Sequence, residues 1–395
     1  MEKNNKNHNV PNLRFPEFSG EWESTPISTI ADIIGGGTPD TSVDEYWGGN
    51  IQWFTPSEIG KEKYAYLSDR TITEAGLKNS SAKLLPQGTV LLSTRATIGE
   101  CSIATAECTT NQGFQSLVAK KNNVSSEFLY YIVAKIKREM LRRSCGSTFL
   151  EISANELKKI HANIPSKAEQ EKLVSLLSLI DQRIETQKKI IEDLKKLKDA
   201  ITHSHYRNEL LHSPMVYIGQ YITQVSKRNK DAKIDRVLSV SNKYGFVNQD
   251  EQFEDREVAS TDTSNYKVVH KGDFAYNPAR INVGSVARLQ EFENGIVSPM
   301  YVCFTAKKGL LPAYFELYLS TSIFKHKMNK RLEGSVRLCL TYESLCNIKI
   351  ALPEFNVQKD FVSKVSTILT KIRAEERLLY LYHNCKQYLL SQMFI

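Results

Sequence analysis

Residue types that do covalent or metal chemistry are present in this chain, but none is assembled into a working set. No G-x-x-x-x-G-K-S/T run occurs, so there is no loop of the kind that offers backbone N–H groups and a lysine to nucleotide phosphates. Gly35-Gly36-Gly37-Thr38-Pro39 is glycine-rich but lacks the lysine and leads into no helix; it reads as a turn. Asn277-Pro278-Ala279-Arg280 begins like the N-P-P-aromatic pattern that grips a flipped adenine, yet the second proline and the stacking aromatic are absent. No G-x-G fingerprint precedes it to mark a cofactor domain. Nuclease chemistry needs carboxylates converging on a divalent ion, and the nearest local fragment is Glu156-x-Lys158. A later segment with the same neighbours has Ser344 and Cys346 there, so Glu156 and Lys158 read as a solvated charge pair. His203 and His205 are two apart on an expected helix and do not share a face. Cysteines 101, 108, 145, 303, 339, 346 and 385 form no C-x-x-C pair and are odd in number, which suits reduced thiols without disulfide or zinc. The expectation is a chain with no catalytic residues and no metal or cofactor of its own.

Other residue types here do bind. Lys and Arg number 52 against 44 Asp and Glu, a formal charge of +8, which favours a polyanionic partner but also serves as a solubilising surface. With 395 residues and 41% hydrophobic content the chain can build two or three ordinary domains. No apolar run approaches the roughly 18 residues that span a bilayer, and the N-terminal MEKNNKNHNV has no signal-like apolar stretch. Together with the cysteine usage this predicts a soluble cytoplasmic protein.

What positions the binding residues is an internal repeat. Gly146-Ser147, Leu157, Ile160, Ile164-Pro165 and Gln170 recur 188 residues later as Gly334-Ser335, Leu345, Ile348, Leu352-Pro353 and Gln358. The register holds without a gap through Val174/Val362, Ile180/Ile368, Ile184/Ile372, Lys198/Lys386 and Ile201/Leu389. Upstream the offset drifts from 184 to 187, with Ile98-Gly99 facing Val283-Gly284 and Ala119-Lys120-Lys121 facing Ala306-Lys307-Lys308. Small insertions of that kind belong in loops.

Each copy reads as a mixed α/β region followed by a helix. Short β-branched and aromatic runs such as Thr89-Val90-Leu91-Leu92 are strand signals, and Phe128, Leu129, Ile132, Val133 and Ile136 fall at helical spacing. From Ala168 to Tyr206 there is no Gly or Pro, and Leu173, Leu177, Ile180, Ile184, Gln187, Ile191, Leu194, Lys198 and Ile201 alternate steps of four and three, a heptad seam. Phe361 to Leu389 repeats it. The seam positions Gln187/Glu375 and Lys198/Lys386 either fix register or drift toward solvent, with Ile190 and Leu197 taking their place. Lone seams would be exposed, so the two helices are expected to pair antiparallel, with one globular region toward each end. The rise from 173 to 201 is roughly 42 Å, about a dozen base pairs of duplex DNA.

Several short motifs lie along this frame: Leu13-Arg14-Phe15-Pro16-Glu17-Phe18 with Trp22, Gly88-Thr89-Val90-Leu91-Leu92-Ser93 with Ile98-Gly99, Thr110-Asn111-Gln112-Gly113-Phe114, and Ile164-Pro165 with Gln170, echoed by Leu352-Pro353 with Gln358. In their order, spacing and duplication the chain resembles the specificity subunit of type I restriction-modification systems over essentially its whole length. The resemblance implies two tandem target-recognition domains, each reading half of a split sequence in double-stranded DNA, on two antiparallel helices that set an unread spacer. The corresponding boundaries are 1–164 and 209–352 for the recognition domains, 165–208 and 353–395 for the helices. It further implies two methyltransferase (modification) subunits that methylate adenine with S-adenosylmethionine, and ATP- and magnesium-dependent restriction subunits that can join them. In one departure, the second copy begins Ser213-Pro214-Met215-Val216-Tyr217 and lacks the tryptophan of the first. A stand-alone DNA-binding regulator built from the same two domains is the alternative; a purely structural coiled-coil scaffold leaves the large α/β regions unexplained.

Reading base edges takes amide, hydroxyl and guanidinium groups on rigid elements, with cations on the phosphates. Candidates in the first region are Gln52, Thr55, Ser57, Ser93, Thr94, Arg95, Asn111 and Gln112; in the second they are Asn277, Arg280, Asn282 and Ser298. Ser147 and Thr148, and in the second copy Ser335 and Arg337, suit phosphate contact. Lys227, Arg228 and Lys230 form the densest basic run, read either as a backbone contact or as a solvated loop. Arg95 and Arg280 follow the duplicated glycine-strand element at nearly the same place; each is a DNA contact or a structural ion pair.

Overall fold

A computed structural model of the chain describes residues 9–146, 150–249, 262–334 and 337–395. Two compact units share the chain: Met1–Lys188 with Arg377–Ile395, and Lys189–Glu376.

In the first unit the strands are β1 (Glu23–Pro26), β2 (Ala31–Gly35), β3 (Trp47–Phe54), β4 (Tyr64–Ala65), β5 (Arg70–Ile72), β6 (Val90–Leu92), β7 (Cys101–Ala104), β8 (Cys108–Thr110), β9 (Gln115–Ala119) and β10 (His161–Ile164). They form a five-stranded sheet in the order β2-β9-β6-β7-β4, a three-stranded sheet β5-β3-β8 and the pair β1-β10. The uninterrupted apolar run of β6 is explained by two covered faces. Val90 and Leu92 pack with Phe128, Leu129, Ile132 and Val133 of the helix Ser126–Arg142. Leu91 points the other way, onto Phe54, Ile59 and Phe114. That helix starts where the Ser125 hydroxyl accepts a hydrogen bond from the Phe128 N–H at 3.1 Å, an N-cap.

The second unit repeats the plan with β11 (Met215–Tyr217), β12 (Ile222–Val225), β13 (Val237–Ser241), β14 (Gly245–Asn248), β15 (Lys267–His270), β16 (Phe274–Tyr276), β17 (Val286–Arg288), β18 (Asn294–Val297), β19 (Val302–Ala306) and β20 (Lys349–Ala351). Its sheets are β12-β19-β16-β17, β14-β13-β18-β15 and β11-β20. β11 pairs antiparallel with β20 as β1 does with β10, so the second copy starts at the Met215 strand. Its missing tryptophan also has a structural reason. In the first copy the Trp22 indole N–H and the Arg14 guanidinium both bind the buried Glu169 carboxylate, at 3.3 Å and 2.7–2.8 Å. At the position equivalent to Glu169 the second copy has Val357, so the acid and its donors are absent together.

The long helices run Lys167–His212 and Phe355–Met393, two residues inside the 165 and 353 boundaries because Pro165 and Pro353 lie ahead of them. The first continues past 208 to His212, and the division between units falls within both helices, since each globular region packs along its nearest stretch of each. The duplicated glutamine does the same work twice. Gln170 donates to the carbonyls of Asn123 and Pro165 at 3.0 and 3.1 Å, and Gln358 to those of Gly309 and Pro353 at 2.9 Å, fastening each helix start to its own domain.

Each helix end enters the core of the other copy's unit. In the first unit Phe394 is buried against Trp22, Phe128 and Tyr131. In the second, Tyr206, the residue 188 earlier, is buried against Tyr314, Tyr318 and Phe361. Within each unit the start of one helix therefore lies antiparallel along the end of the other. The polar seam residues do not drift outward: Gln187 is 5% exposed and Glu375 9%, whereas Ile190 and Leu197 are 39% and 48% exposed. Lys386 pairs with Asp181 at 2.6 Å and the more exposed Lys198 with its neighbour Asp199 at 2.9 Å.

Beside Tyr206, His205 lies flat on Phe361 with ring centroids 3.7 Å apart, its Nε2 3.1 Å from the Tyr314 hydroxyl. Burial lowers its pKa below the ordinary 6.5; Glu209 opposes the shift and Lys364 adds to it. An unfolded chain then binds a proton that the folded unit resists, so stability is retained above pH 6.5 and lost as pH falls below it. We expect the melting temperature of the second unit to drop between pH 7 and pH 5, and His205→Phe to flatten that dependence; an unchanged pH profile would remove His205 as its source.

Candidate nucleic-acid interface

The same hairpin carries the exposed arginine in each unit. β6 pairs with β7 through Val90↔Ile103 and Leu92↔Cys101, and β16 with β17 through Phe274↔Arg288 and Tyr276↔Val286. Between the paired strands, residues 93–100 and 277–285 form the connecting loops. Both close at a left-handed glycine, Gly99 at φ +86° and Gly284 at φ +96°, where a side chain would strain the backbone. Both are held from outside by a matching backbone bond from the segment entering the helical region, Ile152 N–H to the Thr94 carbonyl at 3.0 Å and Leu340 N–H to the Pro278 carbonyl at 3.1 Å. Those donors are themselves 188 residues apart. In the first loop, Ala96 N–H also donates to the Leu150 carbonyl at 3.4 Å.

Around the first loop, three other segments converge. Gly35 ends β2 and Gly36-Gly37 continue it past β8, so this run is a close backbone pass and not the expected turn. A Cβ on Gly36 would sit 2.0 Å from the Asn111 carbonyl, and Gly37 N–H donates to the Thr110 carbonyl at 2.8 Å. This pass delivers Thr38 to the Gln112 amide, which it hydrogen-bonds. Asn111 folds its side-chain oxygen back onto the Gly113 N–H at 2.8 Å, fixing the 111–113 turn. Thr55 caps the short turn Pro56–Glu58 through the Glu58 carboxylate and leaves Ser57 exposed. Arg95 projects from the hairpin with Glu151 at 3.9 Å, both about half exposed.

Three of the expected contacts are turned inward. Ser93 and Thr94 are fully buried, bonding Thr97 Oγ1 at 2.9 Å and the Gly113 carbonyl at 3.3 Å, because both belong to the anchored base of the loop. Gln52 spends its side-chain oxygen on the Ser68 N–H and hydroxyl at 2.7 and 3.0 Å. The reachable set in the first unit is thus Thr38, Ser57, Arg95, Thr97 and Gln112; Thr38 and Thr97 carry no sequence signal of their own, and Thr38 reaches the set only through Gln112, which is distant in the chain.

In the second unit Asn277 braces its loop, accepting from the Ala279 N–H at 3.1 Å, while Arg280 and Asn282 are exposed. Arg280 has no ion-pair partner among the described residues. Ser298 opens the β18–β19 turn, its carbonyl accepting from the Tyr301 N–H at 3.0 Å. Lys227 and Lys230 are exposed; Arg228 is held to the Asn265 carbonyl at 3.0 Å, and buried Asn229 ties the loop together by bonding Ile234. Arg337 is exposed, and Ser147, Thr148 and Ser335 lie outside the described residues.

Elsewhere the reactive types are quiet. Burial pushes the thiols of Cys101, Cys108 and Cys303 up to about 12, which keeps them as unreactive core groups. Glu156 is engaged by Lys159 at 2.7 Å and Arg143 at 3.3 Å. His203 faces Ser322 while His205 faces the Tyr314 core. Among the described residues no group of three or more His, Cys, Asp or Glu is placed to hold a metal, and no helix is long and apolar enough to cross a membrane.

Each of the two duplicated α/β units offers an arginine-bearing loop framed by amide and hydroxyl groups. Residues 19–196 match the family described as type I restriction modification DNA specificity domain. Over 181 residues the chain is 42% identical to the type I restriction enzyme MjaIX specificity subunit of Methanocaldococcus jannaschii, covering 45% of this chain and 42% of that protein. The chain thus spans less than half the length of that relative. The fold matches the crystal structure of a type I restriction-modification S subunit from M. genitalium at TM-score 0.57 and 17% identity, over 98% of this chain and 99% of that one. A structure from work on complex assembly and conformational transition of the type I system matches at TM-score 0.55 and 13% identity, covering 95% of this chain and 98% of that one. Residues 19–196 thus resemble a type I restriction-modification DNA specificity domain, and the chain as a whole shares the fold of these solved S-subunit structures.

Proposed function

We propose that this chain is the DNA-reading subunit of a type I restriction-modification complex. Each unit reads one half of a split target in double-stranded DNA, and the long helices set the unread gap. The observation that carries this reading is the duplicated hairpin: one loop, anchored the same way in both units, presents Arg95 in one and Arg280 in the other. Guanidinium forks at matching places suit two similar contacts along one duplex. In this reading the chain supplies specificity and performs no chemistry. Two methyltransferase subunits bring S-adenosylmethionine and methylate adenine at N6, and restriction subunits bring ATP and magnesium.

The test is to express the chain with a methyltransferase subunit encoded beside it in a methylation-free host and map N6-methyladenine by single-molecule sequencing. The expected outcome is one split motif with an unread gap, altered in only one half when one unit's loops are exchanged. No methylation from a soluble complex, combined with sequence-specific binding by the chain alone, would favour the stand-alone regulator.

A further inference from the structure

We infer that the second unit reads its DNA half through the methyl groups of thymine, whereas the first reads through hydrogen bonds; this rests on the DNA-reading function proposed above. Three loops meet around Arg280. Asn277 Nδ2 lies 3.8 Å from Met300 Sδ, joining the 277–285 loop to the β18–β19 turn. The Ser285 hydroxyl donates to the Val240 carbonyl at 3.1 Å, and the Val240 N–H to the Tyr301 hydroxyl at 3.3 Å, joining both to the β13–β14 hairpin. Each loop exposes one large apolar side chain: Tyr244 at 69%, Val283 at 56% and Met300 at 61%. None of the segments 241–245, 277–285 and 298–301 contains a carboxylate, while Lys243 and Arg280 lie among them. An apolar patch ringed by cations and free of acids fits the edge of a DNA duplex, where the one apolar group on a base edge is the thymine C5-methyl.

At the places matching Met300 and Val283 the first unit exposes no large apolar side chain. Counting back from the aligned strands β19 and β9, Met300 falls where the first copy has Gly113, and a Cβ there would meet Pro56 at 3.0 Å. The 277–285 loop is one residue longer than 93–100. Ile281 takes the buried place that Ile98 holds in the first copy, each 4% exposed, and Val283 is turned outward. Leu150 and Leu338 are exposed at equivalent positions in both copies and so do not distinguish them.

Once the methylated motif is mapped, its halves are assigned by exchanging one unit's loops, and duplexes carrying it are made with deoxyuridine for thymine in one half at a time. That change removes only the methyl. With the chain in complex with its methyltransferase subunits, we expect about fourfold weaker binding per contacted methyl in the half read by the second unit, and no change in the other half. Replacing both Val283→Ala and Met300→Ala, at exposed positions that do not support the core, should abolish the deoxyuridine effect while binding to the first half persists. A second half-site without thymine, equal sensitivity of both halves, or 2-aminopurine fluorescence reporting unstacking without any deoxyuridine effect would each overturn the inference. Absence of any split motif would instead overturn the proposed function.

Discussion

Alanine at Phe394 is expected to cost the first unit about 3–5 kcal/mol, the usual range for emptying a fully buried aromatic site. The ring lies 5.6 Å from Phe128 in a stacked arrangement and 6.0 Å from Trp22 edge-on, and is 2% exposed. Because it follows the end of the C-terminal helix, its loss also loosens that helix from the first unit's core. Tyr206→Ala should do the same to the second unit, with the added loss of the hydroxyl bond to the Tyr314 carbonyl. Hydrogen exchange separates the two. Phe394→Ala should lower protection across Val90–Leu92 and spare Phe274–Tyr276, and Tyr206→Ala should do the reverse. A destabilisation below about 1 kcal/mol would mean that neighbouring side chains collapse into the cavity and that the exchange of helix ends adds little.

Arg280→Ala should weaken binding to the cognate duplex about ten- to a hundredfold and relax discrimination in one half-site, the effect of deleting a bidentate guanidinium contact. Its side chain is exposed and has no ion-pair partner among the described residues, so the fork is not engaged by a protein carboxylate. Arg95→Ala should do the same to the other half with a smaller loss, because Arg95 shares its charge with Glu151 at 3.9 Å. Competition binding with duplexes mutated in each half checks both variants. An equal loss on unrelated DNA would show that Arg280 touches phosphate and carries no sequence information.

The duplication, the two long helices, the heptad seam and the helix-closing glutamines are all legible in the amino-acid sequence. These signals are local or strictly periodic: a 188-residue register and a four-three apolar rhythm survive in one dimension. The repeat also located the two arginines. What it could not do was sort the candidate contacts around them. Ser93 and Thr94 are as polar as Arg95, and only the anchoring of their loop by Gly113 and Ile152 buries the first two and leaves the third outside. Gln52 likewise faces Ser68 because β3 lies beside the turn into β5.

The plan of this protein, two copies that are each an α/β region followed by a helix, is thus written in the order of its residues. Tertiary structure decided the surface. Strand orders such as β2-β9-β6-β7-β4 bring Thr38 onto Gln112 and Met300 onto Asn277 across long stretches of chain. It also decided that each helix end fills the other copy's core, through the pair Tyr206 and Phe394. Side-chain burial depends on which distant segment arrives to cover it, and hydrophobic periodicity along one segment carries no record of that arrival.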